Sequence, residues 1–203
     1  MMDQEIEVKF FLSNLDSLRD RLVGMHARLV QPRTHELNLR FDTQAGDLGR
    51  SFQVLRLRKD IDARLTYKGP GSIDHGVRVR QEIEFTVGDF DAAQRFLQAL
   101  GYQVSMIYEK FRTVYDLSGV LVTLDEMPYG NFTELEGATP QDVIATSKKL
   151  TLQWEHRVLD SYTLLFEHLK TAQQFTFRDL TFDNFTGLEI LPQMLSLQPA
   201  DLG

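Results

Sequence analysis

The sequence predicts an α+β fold whose strands close into a barrel with a charged interior, with helices packed outside. Three observations carry that expectation. Charged and apolar residues alternate in Glu5-Ile6-Glu7-Val8-Lys9-Phe10, and a strand sends successive side chains to opposite faces, so Glu5, Glu7 and Lys9 share one side. The pattern returns in Arg56-Leu57-Arg58, Arg78-Val79-Arg80-Gln81-Glu82-Ile83-Glu84, Lys110-Phe111-Arg112 and Glu134-Leu135-Glu136. One such strand is an ordinary solvated edge, but five with both signs of charge imply one polar surface that several strands share. Third, amphipathic helical patterns fall between the strands rather than replacing them.

The first strand, about residues 3 to 12, leads to Ser13-Asn14, either of which can cap a helix with Leu15, Leu18, Leu22 and Val23 on one face and Gly24 at its end. A strand through residues 36–42 precedes a turn-rich stretch at 44–49, and further strands are expected over about 52–59 and 64–68. Gly69-Pro70-Gly71-Ser72 then reads as a breaker-rich loop and the best candidate for a mobile lid. A strand over 77–87 and a helix over about 90–100 repeat the opening: Glu82-Ile83-Glu84-Phe85 matches Glu5-Ile6-Glu7-Val8, and 109–116 stands where 36–42 stood. Two β-α-β halves of a pseudo-symmetric barrel are therefore expected. After a hairpin turn at 116–119 come strands over about 120–125 and 131–137, then helices over about 140–149 and 157–173. The last carries an apolar stripe of Leu159, Tyr162, Leu165, Phe166 and Leu169. Residues 1–172 thus read as one domain, and residues 173–203, with scattered Phe, Pro192 and Pro199, as an extension to which no shape is assigned.

Composition narrows the class. The 203 residues suffice for one well-packed domain, and 42% hydrophobic with 25% charged residues is a globular balance. No apolar run approaches the roughly 18 residues of a membrane span, and the N-terminus lacks a signal-peptide pattern, so a cytoplasmic protein is expected. With no cysteine, disulfides, thiolate nucleophiles and cysteine-based zinc sites are excluded. A net charge of -7 argues against a general nucleic-acid binder. The five histidines show no metal-ligand spacing.

Charged groups inside a barrel are costly unless paired, hydrated or liganded. The expected inward set opposes Glu5, Glu7, Glu82, Glu84, Glu134 and Glu136 to Lys9, Arg56, Arg58, Lys68, Arg78, Arg80, Lys110 and Arg112. A polyphosphate with a hard divalent metal calls for both: Arg and Lys neutralise phosphate oxygens, and carboxylates hold Mg²⁺ or Mn²⁺. The Glu-x-Glu-x-Lys of residues 5–9, followed in order by Leu55-Arg56-Leu57-Arg58, Leu65-Thr66-Tyr67-Lys68-Gly69-Pro70, Arg80-Gln81-Glu82-Ile83-Glu84, Glu109-Lys110-Phe111-Arg112, Leu124-Asp125-Glu126, Phe132-Thr133-Glu134-Leu135-Glu136 and Ser161-Tyr162-x-x-Leu165, resembles the CYTH superfamily, the triphosphate tunnel metalloenzymes. The branch it most resembles is the one named after class IV adenylate cyclases.

The resemblance implies a closed eight-stranded antiparallel tunnel. It also implies triphosphate binding by Lys9, Arg56, Arg58, Lys68, Arg80, Lys110 and Arg112, and Mg²⁺ or Mn²⁺ coordination by Glu5, Glu7, Glu134, Glu136 and Asp125. Glu7, Glu84 or Glu136 is expected to accept the proton of the attacking group. Hydrolysis releasing orthophosphate is the leading expectation. Cyclisation of ATP to cyclic AMP and pyrophosphate, and polyphosphate binding without turnover, are the alternatives; an RNA 5'-triphosphatase is disfavoured by the acidic net charge. The expected partner is a triphosphate-containing small molecule, with no membrane or nucleic acid, and the resemblance suggests a homodimer.

Overall fold

In the computed structural model, which describes residues 4–202, the strands are β1 (Gln4–Leu12), β2 (Arg28–Asp42), β3 (Val54–Lys59), β4 (Ala63–Asp74), β5 (Val77–Val87), β6 (Gln103–Leu117), β7 (Val120–Met127), β8 (Gly130–Glu136) and the short β9 (Arg157–Val158). The helices are α1 (Leu15–Gly24), α2 (Asp47–Arg50), α3 (Phe90–Ala99), α4 (Pro140–Lys149) and α5 (Tyr162–Gln173). Eight strands close an antiparallel ring in the order β1-β5-β4-β3-β2-β6-β7-β8 and back to β1, with β9 added beside β1. Closure leaves the ring without a free sheet edge at its seam. No helix among the described residues is long and apolar enough to cross a membrane.

The weak internal repeat is a repeat of topology. Exchanging β1 with β5, β2 with β6, β3 with β7 and β4 with β8 returns the same ring, and α1 and α3 occupy equivalent crossovers. The two self-related pairs, β1 with β5 and β2 with β6, join the halves.

Alternation along the strands sorts the side chains. Ile6, Val8 and Phe10 of β1 point outward into a core completed by Leu15, Leu18 and Leu22 of α1 and Val143 of α4. Asn14 starts α1 by accepting from the Asp16 amide at 2.7 Å. On another face, Leu97 of α3 packs on Leu39, Phe41 and Leu57. A third core lies at one end of the barrel. Phe11 follows the register of Lys9, and Phe132 that of Glu134, so the inward face turns from charged to aromatic there. Tyr162, Leu165, Phe166 and Leu169 of α5 cover these rings.

Three expectations need correction. Gly69-Pro70-Gly71-Ser72 is not a lid: it lies within β4, where the pairing with β5 shifts register between Lys68 and Gly71. A bulge tolerates proline because no ladder bond is demanded of its nitrogen. The chain turns instead at His75-Gly76, both left-handed at φ 50° and 83°, as a two-residue hairpin turn requires. The helix expected from residue 157 begins at Tyr162, because Ser161 Oγ caps it by accepting from the Leu164 amide, while Arg157 and Val158 pair with β1. Finally, β2 and β6 begin at Arg28 and Gln103, well before the expected 36 and 109: register shifts at Leu29/Gln31 and Gln31/Thr34 break the alternation in β2, and the shift at Arg40/Phe41, which skips Ser105, breaks it in β6.

The extension packs against the barrel. β7 pairs with β6 only from Phe111 onward, and Leu180 takes the vacated edge: its amide donates to the Ile107 carbonyl at 2.9 Å and its carbonyl accepts from the Glu109 amide at 2.9 Å. Phe185 and Leu195 bury beside Phe166. Asp201 then accepts from the Ser13 amide and hydroxyl, each at 2.8 Å, and from the Asn14 amide at 3.0 Å. Leu180 is wholly buried. Leu180→Ala should therefore cost about 2–5 kcal/mol, read as a lower midpoint in urea unfolding followed by Trp154 fluorescence.

Candidate active site

The barrel encloses a cavity of about 680 Å³ lined by ten Lys or Arg side chains and seven glutamates. Register explains how so much charge is accommodated. Glu5 faces Arg80 across the β1–β5 ladder, Lys9 faces Glu134, Lys68 faces Glu82, Glu36 faces Lys110 and Arg112 faces Asp125. Opposite charges at directly paired positions lie within reach of each other.

The resulting ion pairs form a lattice. Glu5 accepts from Lys68 Nζ at 2.6 Å and Arg80 Nε at 2.7 Å, and Lys68 also lies 3.1 Å from Glu82. Lys9 stands 3.1 Å from Glu134, which also accepts from Arg112. Glu84 accepts from Thr66 Oγ1 at 2.7 Å, Arg58 Nη2 at 3.0 Å and Arg56 Nη2 at 3.3 Å. Asp125, fully buried behind the cavity wall, accepts from Arg112 Nε at 2.6 Å, Tyr162 Oη at 2.7 Å and Lys110 Nζ at 3.4 Å.

Glu7 obeys this rule on one side, where it faces Arg78 across the β1–β5 ladder, and breaks it on the other. Two carboxylates face each other across the β1–β8 ladder. The nearest cation to Glu7 is Arg80 at 3.8 Å, and Glu136 makes no ion pair among the described residues. The titration of the cluster follows from this. Burial alone would raise Glu5, but Lys68 and Arg80 outweigh it and bring the group down to about 2; Lys110, Arg112 and Arg58 do the same for Glu36. Glu134 is held well below the usual range by Lys9 and Arg112 despite its burial. Glu7 moves the other way, raised by burial and by Glu134 and Glu5. Glu136 is pushed up to about 7 by desolvation on its cavity side and by Glu5, Glu7 and Glu82, and Glu82 reaches about 7 through burial and the charge of Glu5.

This donor set fits a hard divalent cation. No group of three acidic or histidine side chains converges into a cage among the described residues. Mg²⁺ does not need one: it keeps several waters and is held by one or two carboxylates plus substrate phosphates. Glu7 and Glu136 are the carboxylates whose lone pairs the lattice does not consume.

Of the residues expected from sequence, Glu5, Glu7, Lys9, Arg56, Arg58, Lys68, Arg80, Glu84, Lys110, Arg112, Glu134 and Glu136 all line the cavity. Asp125 does not; it stands behind, with both oxygens engaged by cations. Sequence reasoning missed Glu36, Arg40, Arg64, Tyr108 and the role of Tyr162 as cavity wall. The signal for two of them was present, since Glu36, Asn38 and Arg40 alternate with Leu37 and Leu39.

A closed antiparallel barrel built around cations and a pair of mutually repelling carboxylates defines a tunnel for a polyanion and its metal. A family model, the CYTH domain, matches residues 3–159, and the chain belongs to that family. Among solved structures, a provisionally described adenylate cyclase of Vibrio parahaemolyticus aligns with a TM-score of 0.73 at 20% identity, covering 82% of this chain and 99% of that one. The PH1819 protein of Pyrococcus horikoshii aligns with a TM-score of 0.66 at 26% identity, covering 80% and 98%. The Hippeastrum protein HpAC1, a provisionally described adenylyl cyclase with a dominant triphosphatase activity, aligns with a TM-score of 0.61 at 21% identity, covering 80% and 95%. No curated protein matches the chain.

The raised carboxylates have a consequence for pH. Glu82 and Glu136 titrate near 7 in the folded protein against 4.5 when unperturbed, so between those values the folded state holds protons that the unfolded state has released. Stability of the metal-free protein should then fall as pH rises from about 5 through 7. The depressed Glu5 and Glu36 act elsewhere, removing stability only as pH falls below 4.5 toward 2. Thermal melts between pH 5 and 8 in chelator should show the decline, and added Mg²⁺ should reverse it.

Proposed function

We propose that this protein is a divalent-metal-dependent triphosphatase, releasing orthophosphate from an organic triphosphate or from tripolyphosphate. One observation carries the reading: a cavity with three more cations than glutamates also sets Glu7 against Glu136, with no cation closer to Glu7 than Arg80 at 3.8 Å. The excess suits a polyanion, and the pair suits Mg²⁺ or Mn²⁺. The triphosphatase activity of the structurally similar Hippeastrum protein supports it. The reading takes residues 1–172 as the catalytic domain, residues 173–203 as its extension, and the cytoplasm as its compartment.

Phosphoryl transfer asks the protein mainly for positioning and charge stabilisation. In this reading Lys9, Arg56, Arg58, Lys68, Arg80, Lys110 and Arg112 bind and straighten the triphosphate, and neutralise charge on the departing phosphoryl oxygens. Glu84 and Asp125 act through these cations, holding the Arg56, Arg58 and Arg112 forks in the direction of the cavity. Glu7 and Glu136 would hold the metal, with Glu5 and Glu134 beside them engaged by cations. When bound, the metal supplies Lewis-acid polarisation of phosphoryl oxygens and lowers the pKa of bound water. Water attacks the terminal phosphorus, the bridging P–O bond breaks, and its electron pair leaves with the diphosphate portion. Glu136, a cavity carboxylate with no ion-pair partner among the described residues, accepts the proton of the water.

Phosphorus NMR with ATP and with tripolyphosphate, each with Mg²⁺ or Mn²⁺, tests the reading. Orthophosphate that vanishes with chelator is expected. Cyclic AMP with pyrophosphate from ATP would instead assign the cyclase, and binding without product a non-catalytic module. Glu136→Gln should lower turnover by roughly 10²-fold or more. Because it removes a repelled charge, it should not lower the melting temperature of the metal-free protein.

A further inference from the structure

Two cavity cations make no ion pair among the described residues, unlike every other cavity cation, although Arg78 stands opposite Glu7 across the β1–β5 ladder. Arg40 Nη1 donates to Thr163 Oγ1 at 2.7 Å, and Arg78 donates to the Leu159 carbonyl; neither makes an ion pair among the described residues. They reach this segment from different strands, β2 and β5, and the segment is the entry to α5. Lys9 Nζ adds a hydrogen bond to the Asp160 carbonyl at 3.3 Å. At this end of the cavity, therefore, three cations converge on neutral oxygens.

A guanidinium removed from water and given only a neutral acceptor is poorly compensated. The cost is compounded at Arg40, whose register partner across the β2–β3 ladder is another cation, Arg56. Burial, with Arg56 and Arg80 nearby, draws its pKa below the usual value even though Asp42 opposes them. If Arg40 served only to strap α5 to the barrel, a neutral side chain would do so without this penalty. Phosphate oxygens carry the opposite charge and match the guanidinium fork with two parallel bonds, neither of which the Thr163 hydroxyl or the Leu159 carbonyl offers.

We propose that Arg40 and Arg78 form an anion subsite at the α5 end of the cavity, which takes the oxygens of the substrate phosphoryl group nearest that end. The proposal rests on the triphosphatase reading for the class of anion. Substrate draws the two guanidinium groups from Thr163 and Leu159, so the residues that border α5 report directly on occupancy of the tunnel.

The probe is inorganic tripolyphosphate, titrated calorimetrically into the full-length protein and into Arg40→Met and Arg78→Met. The dissociation constant should rise about tenfold or more in each variant, while the melting temperature without ligand holds or rises. Unchanged affinity in both variants, whatever happens to the melting temperature, would overturn the subsite. Should either methionine variant fold poorly, Thr163→Val decides, because it removes the strap and keeps the Arg40 charge. Affinity at or above the wild-type level supports the subsite, and loss of affinity in Thr163→Val overturns it. Failure of the wild-type protein to bind tripolyphosphate at all would strike the triphosphatase reading instead.

Discussion

The structure depends on one constraint: charge inside a closed barrel must meet opposite charge across the ladder. An unpaired ion in such an interior costs several kcal/mol, whereas directly opposed side chains in an antiparallel pair stand about 5 Å apart at Cβ, close enough to pair. Glu5 with Arg80, Lys9 with Glu134, Lys68 with Glu82 and Glu36 with Lys110 all obey this geometry. Register and charge pattern therefore enforce each other. A slip of one residue in β1 would turn Ile6, Val8 and Phe10 into the lattice and expose Glu5, Glu7 and Lys9 to the apolar side of α1.

Where that constraint is relaxed, the sign of the relaxation is informative. Three like-charged pairs occupy register positions in the cavity; Arg58 with Arg64 is neutralised by Glu36, Glu84 and Asp60, which leaves Glu7 with Glu136 and Arg40 with Arg56. One favours a cation and the other an anion. A barrel selected only for stability would replace both with complementary pairs; retaining them trades stability for ligand affinity, as functional sites commonly do. The two defects also differ in kind. Repelled carboxylates can take up protons when no metal is present, and the pKa values of Glu7 and Glu136 are both raised in that direction, whereas a guanidinium cannot shed its charge near neutral pH.

Much of this was legible in the sequence because it follows a period of two. The alternation at residues 5–9, 56–58, 78–84, 110–112 and 134–136 defines both a strand and its cavity face, so the barrel and thirteen of its lining residues could be read directly. What escaped reading lies where periodicity fails. The register shifts of β2 hid its first eight residues, and the bulge in β4 made Gly69-Pro70-Gly71 look like a loop. Glu36 and Arg40 obeyed the pattern but were read only as members of a strand. Asp125 shows a different limit: the resemblance implied a metal ligand there, but no sequence pattern sets it behind Arg112 and Tyr162, because depth from the cavity is a property of packing.

Helix α5 links the apolar and charged halves of the structure. Its amphipathic stripe suggested an outer cover, and its later turns do pack on Phe11 and Phe132. Its first turn does something else. Tyr162 donates to Asp125, lies 4.3 Å beneath Lys9 Nζ measured to the ring centre, and remains protonated because burial and the fields of Asp125 and Glu134 push its pKa up. Thr163 meets Arg40 one residue later. The docked helix therefore adds a hydroxyl donor to Asp125, whose oxygens Arg112 and Lys110 also engage, and an acceptor to Arg40. The extension then holds α5 in place through Phe175, Phe177 and Phe185, and its Asp201 ties back to the start of α1. Residues far from any phosphate thus act on the site by fixing the one helix whose first turn is also a wall of the tunnel.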